Sequence, residues 1–275
     1  MTKPRLTLDT SCCGKIRDSK NRGLIEAHLD RTFRRVLSAQ TLWEILDAID
    51  GGDGTHFGKD RELLRIAVGD PNKLLALPTP MSFAIEHALR RPAPEVALTP
   101  KHFERMVTVV MKATNRDELY QGVRMSGAVR QLTAFDPTVV RTQQEQGERE
   151  HVKRLKRGRA KQLPFPPPEA WALLLANDLG VRLSESDARK LMAELDAAYL
   201  FDKHVWRVAL NQKNPYNFEK HQNDWIDLQQ TMYLCDKRLY LMTSDKGIVT
   251  KTGSSSQARR VLYLPTYLNA QGIQL

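Results

Sequence analysis

The chain has 275 residues, and its 42 Lys and Arg against 32 Asp and Glu give a formal net charge of +10. This charge favours a polyanionic partner, with nucleic acid as the first candidate, and a hydrophobic content of 41% is enough for a real core. No segment approaches the roughly 18 apolar residues of a membrane span, and the cysteines Cys12, Cys13 and Cys235 lack the paired spacing of zinc knuckles and disulfide frameworks. We therefore expect a cytoplasmic protein without a membrane partner.

The first predicted element is a short buried strand at Arg5–Leu8, which is followed at once by Asp9. In open α/β sheets, ligands bind at the carboxyl ends of the strands. Asp9 is therefore a candidate site residue. The chain then predicts a helix that is capped by Asp18 or Ser19 and runs to about Thr32.

The next segment predicts a second strand at 33–37 and then a helix that begins at Ser38 or Thr41. The apolar stripe of this helix consists of Leu42, Ile45, Leu46 and Ile49. Glu44 is expected in the first turn, a position that the helix dipole favours for any Glu.

The middle of the chain, residues 51–221, predicts helices and no convincing strand series. Helix-start signals stand at Thr99-Pro100, Asp136-Pro137, Pro168, and Ser184 or Ser186. Residues 149–168 combine a basic tract with a Pro-rich break, which indicates a helix end and an exposed connector. We predict that 51–221 is a helical insertion or cap between two parts of one core domain, 1–50 and 222–275.

The α/β pattern returns after residue 222. A helix is predicted from Asp224 to about Leu234, a strand at 238–242 and a last strand at 260–264. Asp227 lies on that helix, and Asp245 follows the first of these strands within Thr243-Ser-Asp245.

Four acidic residues thus stand at strand ends or on helices that one sheet could bring together: Asp9, Glu44, Asp227 and Asp245. Close carboxylates repel each other by roughly 4 kcal/mol per pair at an effective dielectric of about 20. Such a cluster implies a cation, and ligands that are all oxygen favour Mg²⁺ or Mn²⁺. Asp224, three residues before Asp227, is open to metal binding or to helix capping.

The order of these elements resembles PIN-domain nucleases. The resemblance covers about residues 5–50 and 222–268, and its most specific part runs from Asp227 to Asp245. It implies a PIN-like parallel sheet flanked by helices, and a metal-dependent endoribonuclease whose catalytic acids are the four named above. Many such nucleases serve as bacterial toxins or antiviral-defence effectors. The long middle segment falls outside the resemblance.

Other residues receive supporting roles in this hypothesis. The hydroxyls of Thr10, Ser11 and Thr243 suit contacts to the acids or to water. Tyr216, Phe218 and Trp225 are candidates for stacking on unpaired bases, although core packing is the commoner role of such aromatics, and His221 is a candidate for substrate contact or a solvated loop residue. The basic tract is predicted to contact RNA phosphates through Lys153, Arg154, Lys156, Arg157 and Arg159, or else to be a solvated or protein-docking surface.

Simpler explanations stay open at this stage. Asp9 and Asp245 are also typical turn residues. A structure-specific or single-strand DNA nuclease would need the same acids. A nucleic-acid-binding scaffold with an inactive site would need only the basic surface, and the insertion is equally suited to a protein partner.

Overall fold

The computed structural model describes residues 3–51, 54–93, 100–119, 137–211, 216–217 and 223–275. The strands are β1 (Arg5–Leu8), β2 (Arg34–Arg35), β3 (Leu239–Thr243) and β4 (Val261–Tyr263). The helices are α1 (Thr10–Asp18), α2 (Arg22–Thr32), α3 (Ala39–Gly51), α4 (Phe57–Val68), α5 (Pro80–Leu89), α6 (Pro100–Lys112), α7 (Pro137–Lys161), α8 (Pro168–Asp178), α9 (Glu185–Met192), α10 (Asp196–Leu210), α11 (Asp224–Met232), α12 (Lys246–Thr252) and α13 (Leu264–Ala270).

The four strands form one parallel sheet in the order β2-β1-β3-β4. Its two central strands come from opposite ends of the chain, and Leu8 pairs with Met242 across them. The predicted α/β class, with a parallel sheet flanked by helices, is therefore confirmed. Within the described part of residues 54–211, the only strand-like pairing is an isolated bridge between Leu37 and Ala76.

Each face of the sheet is covered by its own hydrophobic cluster. Side chains alternate along a strand, so Leu241 of β3 packs in one cluster and its neighbour Met242 in the other. Helices of the middle segment contribute to both: Phe57 of α4 lies in the first cluster and Phe201 of α10 in the second. The middle segment shares its core with the terminal segments on both faces.

Helix α1 was not predicted, because the sequence placed the first helix start at Asp18 or Ser19. Thr10-Ser-Cys-Cys-Gly14 is a poor helix former. Burial compensates, since Cys12, Cys13 and Ile16 are all buried and α1 packs against α4. Asp9, expected in a turn, is instead the N-cap of this helix.

The second strand is shorter than predicted. Phe33 ends α2, and β2 contains two residues instead of the five at 33–37. From Leu37 onward the chain no longer pairs with β1. The Leu37 N–H donates to the carbonyl oxygen of Leu75 at 2.9 Å, and the Leu77 N–H donates to the carbonyl oxygen of Leu37 at 2.8 Å. The predicted strand is thus divided between two neighbours.

Several helix starts agree with the prediction, at Pro100, Pro137, Pro168 and Ser184, whose hydroxyl caps α9. The basic tract lies at the end of α7, which continues to Lys161, as its prediction as a helix end requires, and only the Pro-rich segment that follows is non-helical. The short helices α12 and α13, which follow β3 and β4, were not predicted.

Two helical glycines provide a test of this packing. A Cβ on Gly158 of α7 would lie 2.3 Å from Cζ2 of the buried Trp206, whereas a Cβ on Gly14 of α1 would meet no atom within 4 Å. We expect Gly158→Ala to lower stability by about 1–3 kcal/mol through overpacking. Gly14→Ala should raise it by up to about 1 kcal/mol through helix propensity. Urea denaturation measures both, and shifts of the same sign would contradict this packing of α7 on α10.

Candidate functional site

The candidate site lies at the carboxyl ends of the two central strands. From β1 the chain passes to β2 on one side of the sheet, and from β3 it passes to β4 on the other side. The strand order therefore reverses between β1 and β3, and this switch point is where open α/β sheets bind ligands. Asp9 follows β1 and Asp245 lies two residues beyond the end of β3, so both stand at this position.

Asp9 is buried and held by three hydrogen bonds. Its Oδ1 accepts from the Ser11 N–H at 2.7 Å, and its Oδ2 accepts from the Ser11 hydroxyl at 2.8 Å and from the Thr243 hydroxyl. Burial raises the pKa of Asp9, the hydrogen bonds from Thr243 and Ser11 lower it, and the charge of Asp245 raises it. These hydrogen bonds fix the carboxyl group in the switch point.

The hydroxyl of Thr243 connects two of the acids, because it donates to Asp9 and also accepts the N–H of Asp245 at 2.9 Å. The exposed Asp245 carboxylate caps α12 by accepting from the Gly247 N–H at 2.6 Å. Thr243 therefore contacts one acid through its side chain and the backbone of another. Asp245 combines its place in the acidic cluster with the simpler role of a helix cap.

Glu44 lies in the second turn of α3, because the helix begins at Ala39, so the first-turn position predicted for it is wrong. One of its oxygens accepts from the Thr10 hydroxyl and from Nε2 of Gln230 at 3.3 Å. Burial raises the pKa of Glu44 to about 7, with a smaller increase from Asp9 that the Thr10 hydrogen bond opposes. Thr10 thus also supports one of the acids.

Asp227 is the acid whose pKa is raised by all three of the others. Burial and the charges of Asp9, Glu44 and Asp245 together raise its pKa to about 8, although the charge of Lys251 lowers it. Its carboxylate accepts no hydrogen bond from the described residues. The structure therefore brings the four predicted acids into one electrostatic cluster, and Asp227 is its member without a donor in the described ranges.

Asp224 differs from its neighbour and from the prediction that it binds a metal. It is buried, and its two oxygens accept hydrogen bonds from the Tyr216 hydroxyl and the Lys251 ammonium. The ammonium also lies 4.5 Å from the centre of the Phe201 ring. Asp224 is thus committed to an internal ion pair. No sequence signal indicated Lys251, since it lies 27 residues away on another helix.

Gln230 is a second residue that sequence reasoning missed. It lies three residues after Asp227 on α11, so both side chains lie on one helix face, and it holds Glu44 through Nε2. Its Oε1 is buried and has no partner among the residues described. A buried acceptor without a donor is costly, and at this position it is available to a water molecule or a ligand.

The metal prediction can be compared with this geometry. Within the described segments, no three side chains of His, Cys, Asp or Glu lie close enough together to hold one metal ion. Mg²⁺ is usually bound in enzymes by only one or two carboxylates, with water and substrate phosphates completing its shell. The free carboxylate of Asp227, beside Glu44, fits that kind of open site and does not fit a closed cage of protein ligands.

The basic tract divides into an exposed and a buried part. Lys153, Lys156 and Arg157 are exposed on α7, and Arg159 is half-buried. Arg154 departs from the predicted role in nucleic-acid contact, because its guanidinium turns inward to Asp178 and, at 3.3 Å, to Asp202.

The predicted base-stacking aromatics are also buried. Trp225 packs against Gly147 of α7 and against the His151 ring, whose centre is 5.2 Å from its own. Tyr216 is buried with its hydroxyl on Asp224. Neither ring presents a face for stacking, while Phe218 and His221 lie outside the described residues.

Comparison of the chain with models of protein families, with curated proteins and with solved structures finds no match. None of the helices in the described ranges is both long enough and apolar enough to cross a membrane. The fold and the site define an α/β protein whose parallel sheet carries an acidic cluster at its switch point. Any assignment of function therefore rests on the chemistry of that cluster.

The raised pKa of Asp227 predicts how stability depends on pH without metal. Asp227 ionises near 3.8 when unfolded and near 8 when folded, so between these values unfolding releases a proton. Its stabilising contribution is complete below about pH 4 and is lost as the pH rises towards about 8. We expect the unfolding free energy in EDTA to fall over this range in the wild type and to fall less steeply in Asp227→Asn.

The control is Asp70→Asn. Hydrogen bonds from Lys73 and the Asn72 N–H lower the pKa of this exposed carboxyl, so Asp70 is ionised in both states above about pH 5. Urea unfolding across the pH range measures all three proteins. Equal slopes in the wild type and Asp227→Asn would show that Asp227 ionises normally in the folded state.

Proposed function

We propose that this protein is a divalent-metal-dependent phosphodiesterase that cleaves RNA. The observation that carries the proposal is the convergence of four carboxyl groups at the switch point of the sheet, where the Asp227 carboxylate accepts no hydrogen bond from any residue that the structure describes. Cleaving a phosphodiester requires positive charge close to the phosphate and a base close to the attacking water. An acidic cluster that recruits Mg²⁺ or Mn²⁺ supplies both.

The electrostatics of the cluster favour a cation. With pKa values of about 7 for Glu44 and about 8 for Asp227, these groups retain protons near neutral pH, because burial disfavours their charged forms and the neighbouring carboxylates add a smaller repulsion. A divalent cation would replace those protons and relieve the same repulsion. When bound, such an ion polarises a phosphoryl oxygen and lowers the pKa of a coordinated water.

The side chains around the cation have separate roles in this proposal. Asp227 would contact the ion directly, since none of the described side chains donates a hydrogen bond to its carboxylate. Asp9 and Asp245 would complete the negative field from fixed positions at the two strand ends. Lys251 keeps Asp224 paired and lowers the pKa of Asp227, which favours its ionised form.

Glu44 is suited to proton transfer. A general base works best when its pKa lies near the working pH, and the pKa of Glu44 is about 7. Thr10 and Gln230 hold its carboxyl group in a fixed orientation. Glu44 would accept a proton from the attacking water as the new P–O bond forms and the bond to the 3′ oxygen breaks. The departing 3′ oxygen would take a proton from solvent water, which leaves a 5′-phosphate and a 3′-hydroxyl.

The substrate class follows from charge. The chain carries a net charge of +10, and α7 joins the acidic site to an exposed basic surface. Gly147 packs on Trp225 beside Asp224, and Lys153 and Arg157 follow along the helix at about 9 and 15 Å, at 1.5 Å per residue. A single strand held on this surface would reach the acids, and we favour RNA over DNA as the strand.

The proposal predicts metal-dependent cleavage of labelled single-stranded RNA that EDTA abolishes. We expect Asp227→Asn to reduce the cleavage rate at least about a hundredfold, because metal-supported water activation contributes several kcal/mol. Asp70→Asn should cleave at the wild-type rate, since Asp70 is exposed and paired with Lys73. Gel assays with Mg²⁺, Mn²⁺ or EDTA measure this, and a parallel DNA substrate identifies a DNA nuclease.

Thermal unfolding tests metal binding without RNA, so it shows whether an absence of cleavage comes from the lack of a metal site or from the wrong choice of substrate. Mn²⁺ should raise the melting temperature of the wild type more than that of Asp227→Asn, since a ligand that binds only the native state stabilises it. Equal shifts would remove Asp227 from the metal site. RNA binding without cleavage under any metal would favour an inactive nucleic-acid-binding scaffold.

The exposed basic surface of α7 generates a separate prediction. Replacing Lys153, Lys156 and Arg157 with Gln should weaken RNA binding for unrelated sequences and reduce the salt slope by about 0.7 per lost phosphate contact. Arg182, Arg189 and Lys190 are exposed outside α7, so their triple Gln variant is matched in charge. Fluorescence anisotropy across a salt titration measures both. Equal losses in the two variants would indicate only a general effect of net charge.

A further inference from the structure

A cavity separate from the acidic cluster lies at the other ends of α1 and α3. Its volume is about 340 Å³. The lining residues used below are Arg17, Ile49, His56, Phe57, Lys59 and Asp60. Phe57 and Ile49 are buried apolar side chains, whereas the other four are polar and partly or fully exposed.

Two helices connect this cavity with the acidic cluster. The hydroxyl of Thr10, the first residue of α1, bonds to Glu44 of α3, and the same helices later supply Arg17 and Ala48 to the cavity. At 1.5 Å per residue, Ala48 is about 6 Å along α3 from Glu44, and Arg17 is about 10 Å along α1 from Thr10. The cavity is thus one to two helical turns from the proposed reaction site.

Asp60 is the residue that defines the chemistry of the cavity. It is half-buried in the first turn of α4, and its carboxylate receives no hydrogen bond within the described part of the chain. Burial raises its pKa, while the nearby charges of His56, Arg17 and Lys59 lower it. A partly desolvated carboxylate with both oxygens open requires donors from a ligand or from water.

The two oxygens of a carboxylate match a pair of adjacent N–H donors. Among the nucleobases, guanine presents such a pair on its Watson–Crick edge, N1–H and the N2 amino group. Phe57 and Ile49 supply the apolar part of the lining, but both side chains are almost fully buried and offer no ring face for stacking. Lys59 is exposed at the rim, where it can contact a phosphate, and Arg17 also lines the cavity although it pairs with Asp18 at 2.8 Å.

We propose that this cavity binds a guanine nucleotide of the substrate strand, with the Asp60 carboxylate accepting from guanine N1–H and N2–H and Lys59 contacting its phosphate. That this guanine belongs to an RNA substrate rests on the proposed function, whereas binding of the nucleotide by the cavity does not. The pocket would give the enzyme a preference for guanine near the cleaved bond.

Calorimetric titration of the full chain in EDTA tests the binding directly, because no metal or catalysis is needed. The probes are the 5′-monophosphates of guanosine, inosine, adenosine, cytidine and uridine. Guanosine monophosphate should bind at least about tenfold more tightly than the others, since only guanine offers both donors to the Asp60 carboxylate. Inosine monophosphate, which lacks only the N2 amino group, should bind more weakly than guanosine monophosphate.

Asp60→Asn should remove the preference for guanine. Lys59→Gln should lose the contact with the phosphate, so it should bind guanosine monophosphate no more tightly than it binds guanosine, the nucleoside without a phosphate. Asp70→Asn, on an exposed carboxylate away from the cavity, should bind as the wild type does. Equal affinities for all five nucleotides, or an unchanged preference in Asp60→Asn, would overturn the proposal. If guanosine monophosphate binds but RNA is not cleaved, the guanine-binding cavity is supported and the nuclease proposal is contradicted. If RNA is cleaved but no nucleotide binds, the nuclease is supported and the guanine-binding cavity is contradicted.

Discussion

The parallel pairing of β1 with β3 is the contact on which the rest of the structure depends. It joins segments more than two hundred residues apart and continues past the strands, since the Asp9 N–H donates to the carbonyl oxygen of Met242 at 3.0 Å. Because parallel strands end at the same edge, the pairing places Asp9 beside Thr243 and creates the switch point. Closing so long a loop costs entropy, and burial on both faces of the sheet compensates for it.

The acids of the protein fall into two groups that differ in their partners. Asp224 and Asp202 are buried beside cations, Lys251 and Arg154. Asp227 forms no ion pair within the described part of the chain; the charge of Lys251 favours its ionised form, and Asp9, Glu44 and Asp245 oppose it. A fold selected for stability alone has no reason to leave a buried carboxylate in this state, and such perturbed groups are typical of functional sites. This contrast is the physical basis for locating the site at Asp227.

The helical middle segment supports the site from two sides. Its helix α7 packs on Trp225 of α11, and Phe201 of α10 lies against the Lys251 ammonium. Arg154, Asp178, Asp202 and His151 form a buried polar network next to this contact, in which burial lowers the pKa of His151 to about 4. The orientation of Asp224 and Lys251 thus depends on residues far from the strands, so the segment is a structural part of the site.

The sequence by itself determined the elements whose patterns are local and strong. Strand β1, the apolar stripe of α3, the proline-led helix starts and the helix–strand order around Asp227 were all predictable from periodicity and capping. Those elements were enough to select the four acids that the structure brings together.

Only the tertiary structure decided the remaining features, because each depends on a partner distant in sequence. Helix α1 forms against its weak propensity through burial on α4, and β2 is shortened where Leu37 pairs with a different segment. Arg154 turns inward to Asp178 and Asp202, and Lys251 reaches Asp224, although neither orientation has a local signal. Sequence spacing indicates which residues can share a helix face or a strand end. Tertiary packing decides which charged side chains form ion pairs and which do not.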